Sequence, residues 1–465
     1  MLSKSFDFFH DVFDLFLLFK DEPHLFFLDS SLTTSSNGRY SMIGFDPFEI
    51  AQGSSLKEYS LFKDRFRSFS SKNKGARLPF CNGAVGYLSY DLGVQLQGLT
   101  SVREKDDQLP LFYFGLYDVV FVVDHLEQKL HVFSSGWPEV SPALREKRAA
   151  ERLKKAVDPL SRLGTVDYRC HRECLRASYE TPDFTSNILR EDYIESVKRA
   201  LYHIGQGDIY VINLSHKITV EERPEISRLK PWEIYACLRE LSPSHFSAFF
   251  DALTHQILST SPERFVCLKN KTVQIRPMKG TRPRGKTPEE DSALRQELLH
   301  SAKEIAELLM VTDLERNDLG RVCEFGSVKV RDMRTIEEYK TVFQATSTIE
   351  GTLSDQKDCF DLLEACFPGG SVTGCPKLSA MKIIDGLEKA RRGIYTGAFG
   401  YIDFSGDLDF NILIRTLLVS GKDTTFHVGG GIVADSDPEM EYDETWVKAK
   451  ALMECLTICS ARRSL

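Results

Sequence analysis

The chain has 465 residues, of which 42% are apolar and 27% charged, and this globular composition excludes a disordered or collagen-like protein. Its 59 basic and 67 acidic residues give a net charge of −8, which argues against nucleic-acid binding, since nucleic-acid-binding proteins usually carry a basic excess. The eleven scattered cysteines do not form the even, short framework of a secreted disulfide protein. The closest pair, Cys170 and Cys174, lacks the second pair that a zinc site needs. We therefore expect a cytoplasmic location.

The N-terminal 30 residues are rich in Phe and Leu but carry interspersed charges. Their longest uninterrupted apolar run is 15–19, whereas a signal peptide needs ~7–15 apolar residues and a membrane-spanning helix ~20. The pattern therefore predicts no membrane segment. It favours a buried helix followed by a strand at 25–28.

The next part of the chain is predicted to be rich in β-strands. Small, aromatic and β-branched residues predict strands at 83–90 and 111–123, with 129–133 as a hairpin partner of the latter. Residues 141–158 are charged and predict an exposed helix. The mixed polarity of 159–187 indicates a linker or a long excursion.

From residue 188 onwards the periodic patterns become clearer. Apolar residues at helical spacing predict a helix at 191–204. Strands are predicted at 209–214, 245–251, 256–260, 264–268, 272–276, 396–404, 411–419 and 424–428, and helices at 289–312 (two), 357–366 and 438–457. Runs of strands, then helices, then strands predict an α+β fold with large antiparallel sheets. We divide it into an N-terminal β-rich region, 1–150, and a second region, 188–460.

One segment matches the phosphate-loop pattern G-x-x-x-x-G-K-[ST], at 280–287. It follows a predicted strand and precedes a predicted helix, as that motif requires. However, Pro283 and Pro288 have no N–H to offer a phosphate, and a parallel βαβ context is missing. A basic turn, with Thr287 capping the helix, explains the same residues. Nucleotide binding therefore stands as an alternative from a different functional class.

Two acidic helices are candidates for a metal site. On the C-terminal helix, Glu441, Glu444 and Lys448 fall within a sector of roughly 60°, which is typical either of a solvated face or of a ligand site. The glycines at 429–431 favour a ligand, because they let it approach backbone N–H groups. Together with Glu307 on another helix, these carboxylates are suited to Mg²⁺, which prefers oxygen ligands.

A third candidate is the glycine-rich segment 367–377, which precedes a predicted helix. Glycines with Ser and Thr at a helix N-terminus can bind an anion through N–H groups. A purely structural turn could use the same residues, and both interpretations stay open.

Taken together, the chain resembles the chorismate-utilising enzymes, the family of the anthranilate, aminodeoxychorismate, isochorismate and salicylate synthases. Nine segments in family order carry the resemblance: GRYSMIGFDP (38–47), GAVGYLSYDLG (83–93), GDIYVINLSH (207–216), SPERF (261–265), RPMKGTRPRG (276–285), LLMVTDLERNDLGRV (308–322), FPGGSVTGCPKLSAMKIID (367–385), RRGIYTGAFGYI (391–402) and GGGIVADSDPEMEYDET (429–445). The resemblance implies an anthranilate synthase component I-like fold of two large packed antiparallel β-sheets flanked by helices, with chorismate bound between them.

Within this family the chain is most similar to aminodeoxychorismate synthase component I. Its Pro277–Thr281 segment resembles the Pro-Ile-Lys-Gly-Thr of those enzymes, whereas anthranilate synthases have Ala at the position of Lys279. The resemblance implies that the lysine amine attacks C2 of chorismate and expels the C4 hydroxyl, and that ammonia then displaces the lysine. The implied product is 4-amino-4-deoxychorismate, a precursor of 4-aminobenzoate and folate. Anthranilate synthesis is the close alternative.

The resemblance also implies roles for other residues. Glu263 would be the general acid that protonates the departing hydroxyl, a task that suits a carboxyl of raised pKa. The implied Mg²⁺ ligands are Glu307, Glu444 and, close by, Glu441. The implied substrate-binding residues are Thr281, Gln344, Tyr395, Arg415, Gly429 and Lys448.

Two positions depart from the family pattern. Gln344 replaces a common histidine and cannot act as a base, which weakens an assignment to aromatising enzymes. Val211 stands where amine-using members have Gln and water-using members have Lys, so activation of water is not expected. A non-catalytic chorismate-binding relative is therefore a further alternative.

The resemblance also implies partners. The chain has no glutaminase-like or lyase-like region, so we expect a separate glutamine amidotransferase subunit, forming a heterodimer, and a separate lyase. Leu28-Asp29-Ser30 resembles the family's tryptophan pocket and makes bound tryptophan a possibility. No nucleic-acid or membrane partner is expected.

Overall fold

The computed structural model describes residues 1–32, 38–69, 78–104, 109–164, 182–220, 229–338 and 342–461. The described residues form eleven helices: α1 (Val12–Phe19), α2 (Leu56–Arg67), α3 (Tyr90–Leu96), α4 (Pro142–Val157), α5 (Arg190–Gly205), α6 (Pro231–Leu241), α7 (Pro288–His300), α8 (Ala302–Gly320), α9 (Cys359–Cys366), α10 (Lys377–Leu387) and α11 (Pro438–Ala461). No described helix combines the length with the apolar character that crossing a bilayer requires. Most of the predicted linker 159–187, with Cys170 and Cys174, lies outside the described residues.

The strands form two antiparallel sheets. The twelve-stranded first sheet has the order β1 (Leu2–Asp7), β8 (Lys129–Ser134), β7 (Val119–Asp124), β3 (Tyr40–Gly44), β2 (Phe26–Asp29), β11 (Phe246–Asp251), β12 (His255–Ser261), β21 (Thr416–Ser420), β22 (Asp423–Ile432), β10 (Val211–Val220), β18 (Gly374–Cys375), with β9 (Phe184–Ser186) beside β10. The ten-stranded second sheet has the order β15 (Met278–Pro283), β17 (Val342–Thr352), β14 (Thr272–Ile275), β13 (Arg264–Lys269), β20 (Leu408–Ile412), β19 (Ala398–Asp403), β5 (Gly83–Leu88), β6 (Phe112–Tyr117), β4 (Glu49–Gly53), with β16 (Lys329–Glu338) beside β17. The predicted α+β fold of two large antiparallel sheets is confirmed.

Residues from both halves of the chain build both sheets. β2 pairs with β11 in the first sheet, and β5 pairs with β19 in the second. The predicted region 1–150 is therefore interleaved strand by strand with the region 188–460 and has no sheet of its own.

Apolar side chains fill three layers. One lies between the sheets and includes Phe26, Tyr87 and Phe250. A second lies where α1, α6 and α11 cover the first sheet, and a third where α2 and α9 cover the second. The N-terminal Phe/Leu segment belongs to the second layer, because the inward side chains of α1 are buried there. This confirms the predicted buried helix and the strand that follows it.

The long apolar run predicted as one strand at 111–123 is in fact two strands in different sheets. β6 belongs to the second sheet and β7 to the first, and Asp118 lies between them. The Asp118 carboxylate is buried and accepts a hydrogen bond from Arg152 at 2.9 Å. A buried charge with its own partner interrupts the run, and the chain changes sheets there. The predicted hairpin of β7 with β8 is confirmed.

The structure contradicts the phosphate-loop hypothesis for 280–287. Residues up to Pro283 belong to β15, which pairs antiparallel with β17. The Gly285 N–H donates to Asp291 Oδ1 and the Lys286 N–H to Glu290 Oε2, both at 2.8 Å. Because these donors are bonded to carboxylates, they do not form a phosphate cradle. Thr287 caps α7 instead, as the alternative interpretation proposed.

Candidate active site between the two sheets

Several of the predicted site residues lie where an end of the first sheet meets an end of the second. The glycine run of β22 lies beside β10 in the first sheet, and β15 is the end strand of the second. A Cβ added at Gly431 would lie 3.6 Å from Lys279 Nζ, and one added at Gly429 would lie 2.4 Å from the Leu214 carbonyl oxygen. Close packing therefore requires glycine at position 429, whereas the Gly431 distance shows that the Lys279 amine faces the β22 backbone.

Lys279 is half-buried and is held by the glycine-rich segment. Its Nζ donates a hydrogen bond of 3.3 Å to the Ser371 carbonyl oxygen. Ser371 belongs to a short 3₁₀ turn, Gly370–Val372, which leads into β18. Val211 lines the same space, since its side chain lies 4.0 Å from the Cβ position of Gly431. One function of the glycine-rich segment is thus to orient the lysine.

Glu263 provides a buried acid in the same cluster. It follows β12, its side chain is buried, and its Oε1 has no hydrogen-bond partner among the described residues. Burial raises the pKa of this carboxyl, and the neighbouring Ser371 side chain and the Lys279 charge partly oppose the rise. An acid that keeps its proton to higher pH beside an amine is suited to proton transfer.

A second buried acid, Glu315, was not identified from the sequence. Its Oε2 also lacks a hydrogen-bond partner among the described residues. Burial raises the pKa of Glu315 well above its usual value, and the Glu263 charge raises it further. Glu315 lies on the buried stripe of α8, with Leu308, Val311 and Leu319. A carboxyl on an apolar stripe at helical spacing is the signal that could have revealed it.

Arg415 is a cation with no counterion among the described residues. It lies between β20 and β21 with a φ of 50°, a backbone conformation that costs free energy for any residue except glycine. Its guanidinium forms no hydrogen bond or ion pair with the residues that the structure describes, and burial lowers its pKa. A half-buried cation of this kind is stabilised by an anionic ligand.

Tyr395 lies just before β19 and is buried. Its ring stacks on His427 with centroids 5.1 Å apart, and burial raises the pKa of its hydroxyl. Tyr395 is therefore a neutral donor over the pH range in which proteins are folded.

The C-terminal helix α11 supplies polar groups to the β22 glycines. Lys448 Nζ donates to the Gly429 carbonyl oxygen at 3.1 Å and pairs with Glu444 at 2.7 Å. Glu441 is buried, and its Oε1 accepts a hydrogen bond of 2.6 Å from Ser436. A Cβ at Gly430 would lie 3.2 Å from Glu441 Oε2. The missing side chain leaves room beside carboxylate oxygens, which suits a hard cation such as Mg²⁺.

The other predicted site residues lie on elements that border this space. Glu307 is half-buried on α8. It does not form a compact triad with Glu441 and Glu444, because the only described group of three candidate ligands within 4.8 Å of one another consists of cysteines. Thr281 is exposed on β15 opposite Gln344, which is buried on β17. The metal and substrate roles of these residues stay predictions.

A separate cavity of about 220 Å³ lies beside Leu28-Asp29-Ser30. Asp29 is buried and is paired with Arg239 at 2.8 Å, and Tyr235 donates a hydrogen bond to it at 3.1 Å. His245 and Phe246 line the same cavity, and Lys279 does not. The segment that resembles a tryptophan pocket thus borders a cavity distinct from the Lys279 cluster.

Comparison with known proteins assigns the chain to a family. The model of the chorismate binding enzymes matches residues 28–454. The chain belongs to the chorismate binding enzyme family. Among solved structures, this chorismate binding enzyme is similar to anthranilate synthase component I from Streptococcus pneumoniae TIGR4. The TM-score is 0.76, the identity is 30%, and the match covers 90% of this chain and 93% of the other.

Curated relatives of this chorismate binding enzyme carry two different names. Anthranilate synthase component 1 of Acetivibrio thermocellus is 36% identical, with 95% of this chain and 92% of the relative covered. Aminodeoxychorismate synthase component 1 of Bacillus subtilis (strain 168) is 37% identical, with 92% and 91% covered. Overall identity therefore establishes a chorismate-utilising enzyme and does not distinguish the two reactions.

Proposed function

We propose that this enzyme aminates chorismate to 4-amino-4-deoxychorismate. The observation that carries the proposal is the position of the Lys279 amine, between the β22 glycines and the buried acid Glu263. An amine nucleophile and a general acid that both reach the bound ring are what a two-step substitution with retained stereochemistry needs.

In the proposed reaction, the Lys279 amine first loses its proton to solvent and then attacks C2 of chorismate. The ring double bond shifts, and the C4 hydroxyl leaves as water with the proton of Glu263. Ammonia then adds at C4, the double bond shifts back, and the C2–N bond to Lys279 breaks. The proton lost by the incoming nitrogen returns to Glu263, so the enzyme ends the cycle unchanged.

Binding of the substrate is assigned to Arg415 and to the other predicted substrate-binding residues. Arg415 would hold a carboxylate through its planar fork, with Tyr395 as a neutral hydrogen-bond donor and Thr281, Gln344 and the Gly429 backbone completing the site. Glu307, Glu444 and Glu441 would hold Mg²⁺, which when bound neutralises the charge of the ring carboxylate. Lys448 would orient Glu444 through their ion pair.

The ammonia is proposed to come from a separate glutamine amidotransferase in the cytoplasm. A separate lyase would convert the product to 4-aminobenzoate. Both proposals rest on the resemblance to the aminodeoxychorismate synthases.

Anthranilate synthesis is the second candidate, and the relatives' identities favour it equally. Formation of anthranilate requires removal of a ring proton. Gln344 cannot accept that proton, whereas Lys279 supplies the nucleophile that amination at C4 needs. These two residues are our reasons for preferring the first proposal.

The direct test is to incubate the purified chain with chorismate, Mg²⁺ and ammonium at mildly alkaline pH. Products are identified by mass and fluorescence, with and without an added aminodeoxychorismate lyase. Formation of 4-aminobenzoate only with the lyase would support the proposal. Fluorescent anthranilate without the lyase would replace it with the second candidate. If chorismate binds but stays unchanged, both with ammonium and with an added glutaminase subunit, the chain would be a non-catalytic relative of these enzymes.

Replacement of Arg415 is expected to weaken substrate binding. Arg415→Lys keeps the charge but loses the bidentate fork, so we expect KM for chorismate to rise about tenfold, with a smaller change in kcat. Steady-state kinetics measure both constants. Arg331→Lys, at an exposed arginine paired with Glu350, is the matched control. An unchanged KM in Arg415→Lys would exclude the carboxylate-binding role.

Removal of a metal ligand is expected to shift the Mg²⁺ requirement. Glu307→Ala and Glu444→Ala should each lose activity at limiting Mg²⁺ and regain part of it at high Mg²⁺, because each removes one oxygen ligand. Activity is measured across a Mg²⁺ titration. The control is Glu439→Ala, an exposed glutamate in the first turn of α11. If a variant shows the same dependence of activity on Mg²⁺ as the wild type, the substituted glutamate is not a Mg²⁺ ligand.

A further inference from the structure

Three cysteines meet where α6 packs on α11, in the layer that covers the first sheet. Cys237 lies on α6, and Cys455 and Cys459 lie one turn apart on α11. All three are buried, and their Sγ atoms lie within 4.8 Å of one another. This cluster is outside the proposed catalytic site, and the proposed reaction does not use it.

The thiols contact one another and the helix backbones. Cys455 Sγ lies 3.4 Å from the Ile234 carbonyl oxygen, and Cys237 Sγ lies 4.0 Å from that of Cys455. Burial raises the pKa of the Cys455 thiol, and the two neighbouring thiols raise it further. An ion that binds the Cys455 sulfur as a thiolate must therefore displace its proton.

We propose that this cluster is a binding site for a soft, thiophilic metal ion held by three sulfurs. Metal–sulfur bonds of about 2.3 Å require sulfurs about 4 Å apart in a trigonal arrangement. The distances between the three Sγ atoms need to shorten by less than about 1 Å to reach this arrangement. Soft thiolate ligands select soft ions, whereas the carboxylates of the proposed magnesium site select hard ones.

The number of ligands indicates the class of ion. Structural zinc sites are almost always closed by four ligands, and the described residues supply three sulfurs here. Ions that accept three sulfur ligands, such as Cd²⁺, therefore fit better than Zn²⁺. Binding forms three metal–sulfur bonds, each thiol that becomes a thiolate releases its proton to the buffer, and no electron is transferred.

The three thiols are buried, so an ion reaches them during folding or through local opening of the two helices. Once bound, it would tie α6 to the helix that carries Glu441, Glu444 and Lys448.

The test uses the full chain, freed of metal by a chelator and reduced, with Cd²⁺ as the probe and excess Mg²⁺ to occupy carboxylates. We expect about one tightly bound Cd²⁺ per chain by equilibrium dialysis, an ultraviolet sulfur-to-metal charge-transfer band, and weaker binding of Zn²⁺. Native and refolded protein are both measured, so that slow entry is not mistaken for absence of the site.

Cys455→Ala and, on the other helix, Cys237→Ser should each abolish the band and the tight binding. Cys323→Ala is the matched control, because Cys323 is buried in a different apolar layer. Circular dichroism checks that each variant folds. The proposal would be overturned if both native and refolded wild type bound Cd²⁺ no more tightly than Cys455→Ala does. It would also be overturned if Cys323→Ala lost as much Cd²⁺ binding as Cys455→Ala.

Discussion

Lys279→Ala is expected to abolish formation of 4-amino-4-deoxychorismate. Without the amine, ammonia would have to displace the C4 hydroxyl directly, and the covalent step that divides this substitution into two easier ones would be lost. We expect kcat to fall by at least about 100-fold, or the product to change, while chorismate still binds. Product analysis by mass, with a binding measurement for chorismate, separates these outcomes.

The control for this variant is Lys286→Ala, which removes an exposed lysine of the same segment. It should retain wild-type activity. When the wild type is incubated with chorismate without ammonium and then quenched, mass spectrometry should also find a substrate-derived adduct on Lys279. Undiminished amination by Lys279→Ala would refute the nucleophilic role of the lysine.

Glu263→Gln is the second variant with a large expected effect. The amide keeps the shape of the side chain but cannot donate a proton to the departing hydroxyl. General acid catalysis typically contributes about 10²–10⁴-fold, so we expect a loss of kcat in that range with little change in KM. Steady-state kinetics with ammonium measure both.

The pH dependence of this step follows from the direction of the pKa shift. Burial raises the pKa of Glu263, so the catalytically competent, protonated form persists above the usual range of a glutamate. Activity that depends on this acid should fall as pH rises through the raised pKa. The residual activity of Glu263→Gln should not show this decrease at high pH. Glu338→Gln, at an exposed glutamate paired with Arg295, is the control for the same change of side chain outside the site.

Much of the fold was predictable because the sequence patterns are local. The buried N-terminal helix and the hairpin of β7 with β8 both follow from neighbouring residues. The change of sheets at Asp118 was not predictable, because its arginine partners come from a helix later in the chain.

Prediction of the candidate site from the sequence is limited in the same way. The motifs identified Lys279 and Glu263 separately, and only the fold shows that both belong to one cluster around Ser371. Glu315 lies in the family-like segment 308–322 but was given no role there, and its importance arises from burial and from the charges of neighbouring elements. The three cysteines also lie on distant parts of the chain and meet only through helix packing.

The interleaving of the two halves of the chain has a consequence for how the protein folds. Phe27 pairs with Phe249, and Gly86 pairs with Gly400, so neither sheet can be completed until most of the chain has been synthesised. Such long-range pairing slows folding, because the entropy of closing large loops is lost before the contacts form. The nascent chain must therefore carry unpaired strand edges for much of its synthesis, and unpaired edges promote aggregation. We expect this enzyme to depend on chaperones more than a protein of equal length built from sequential domains.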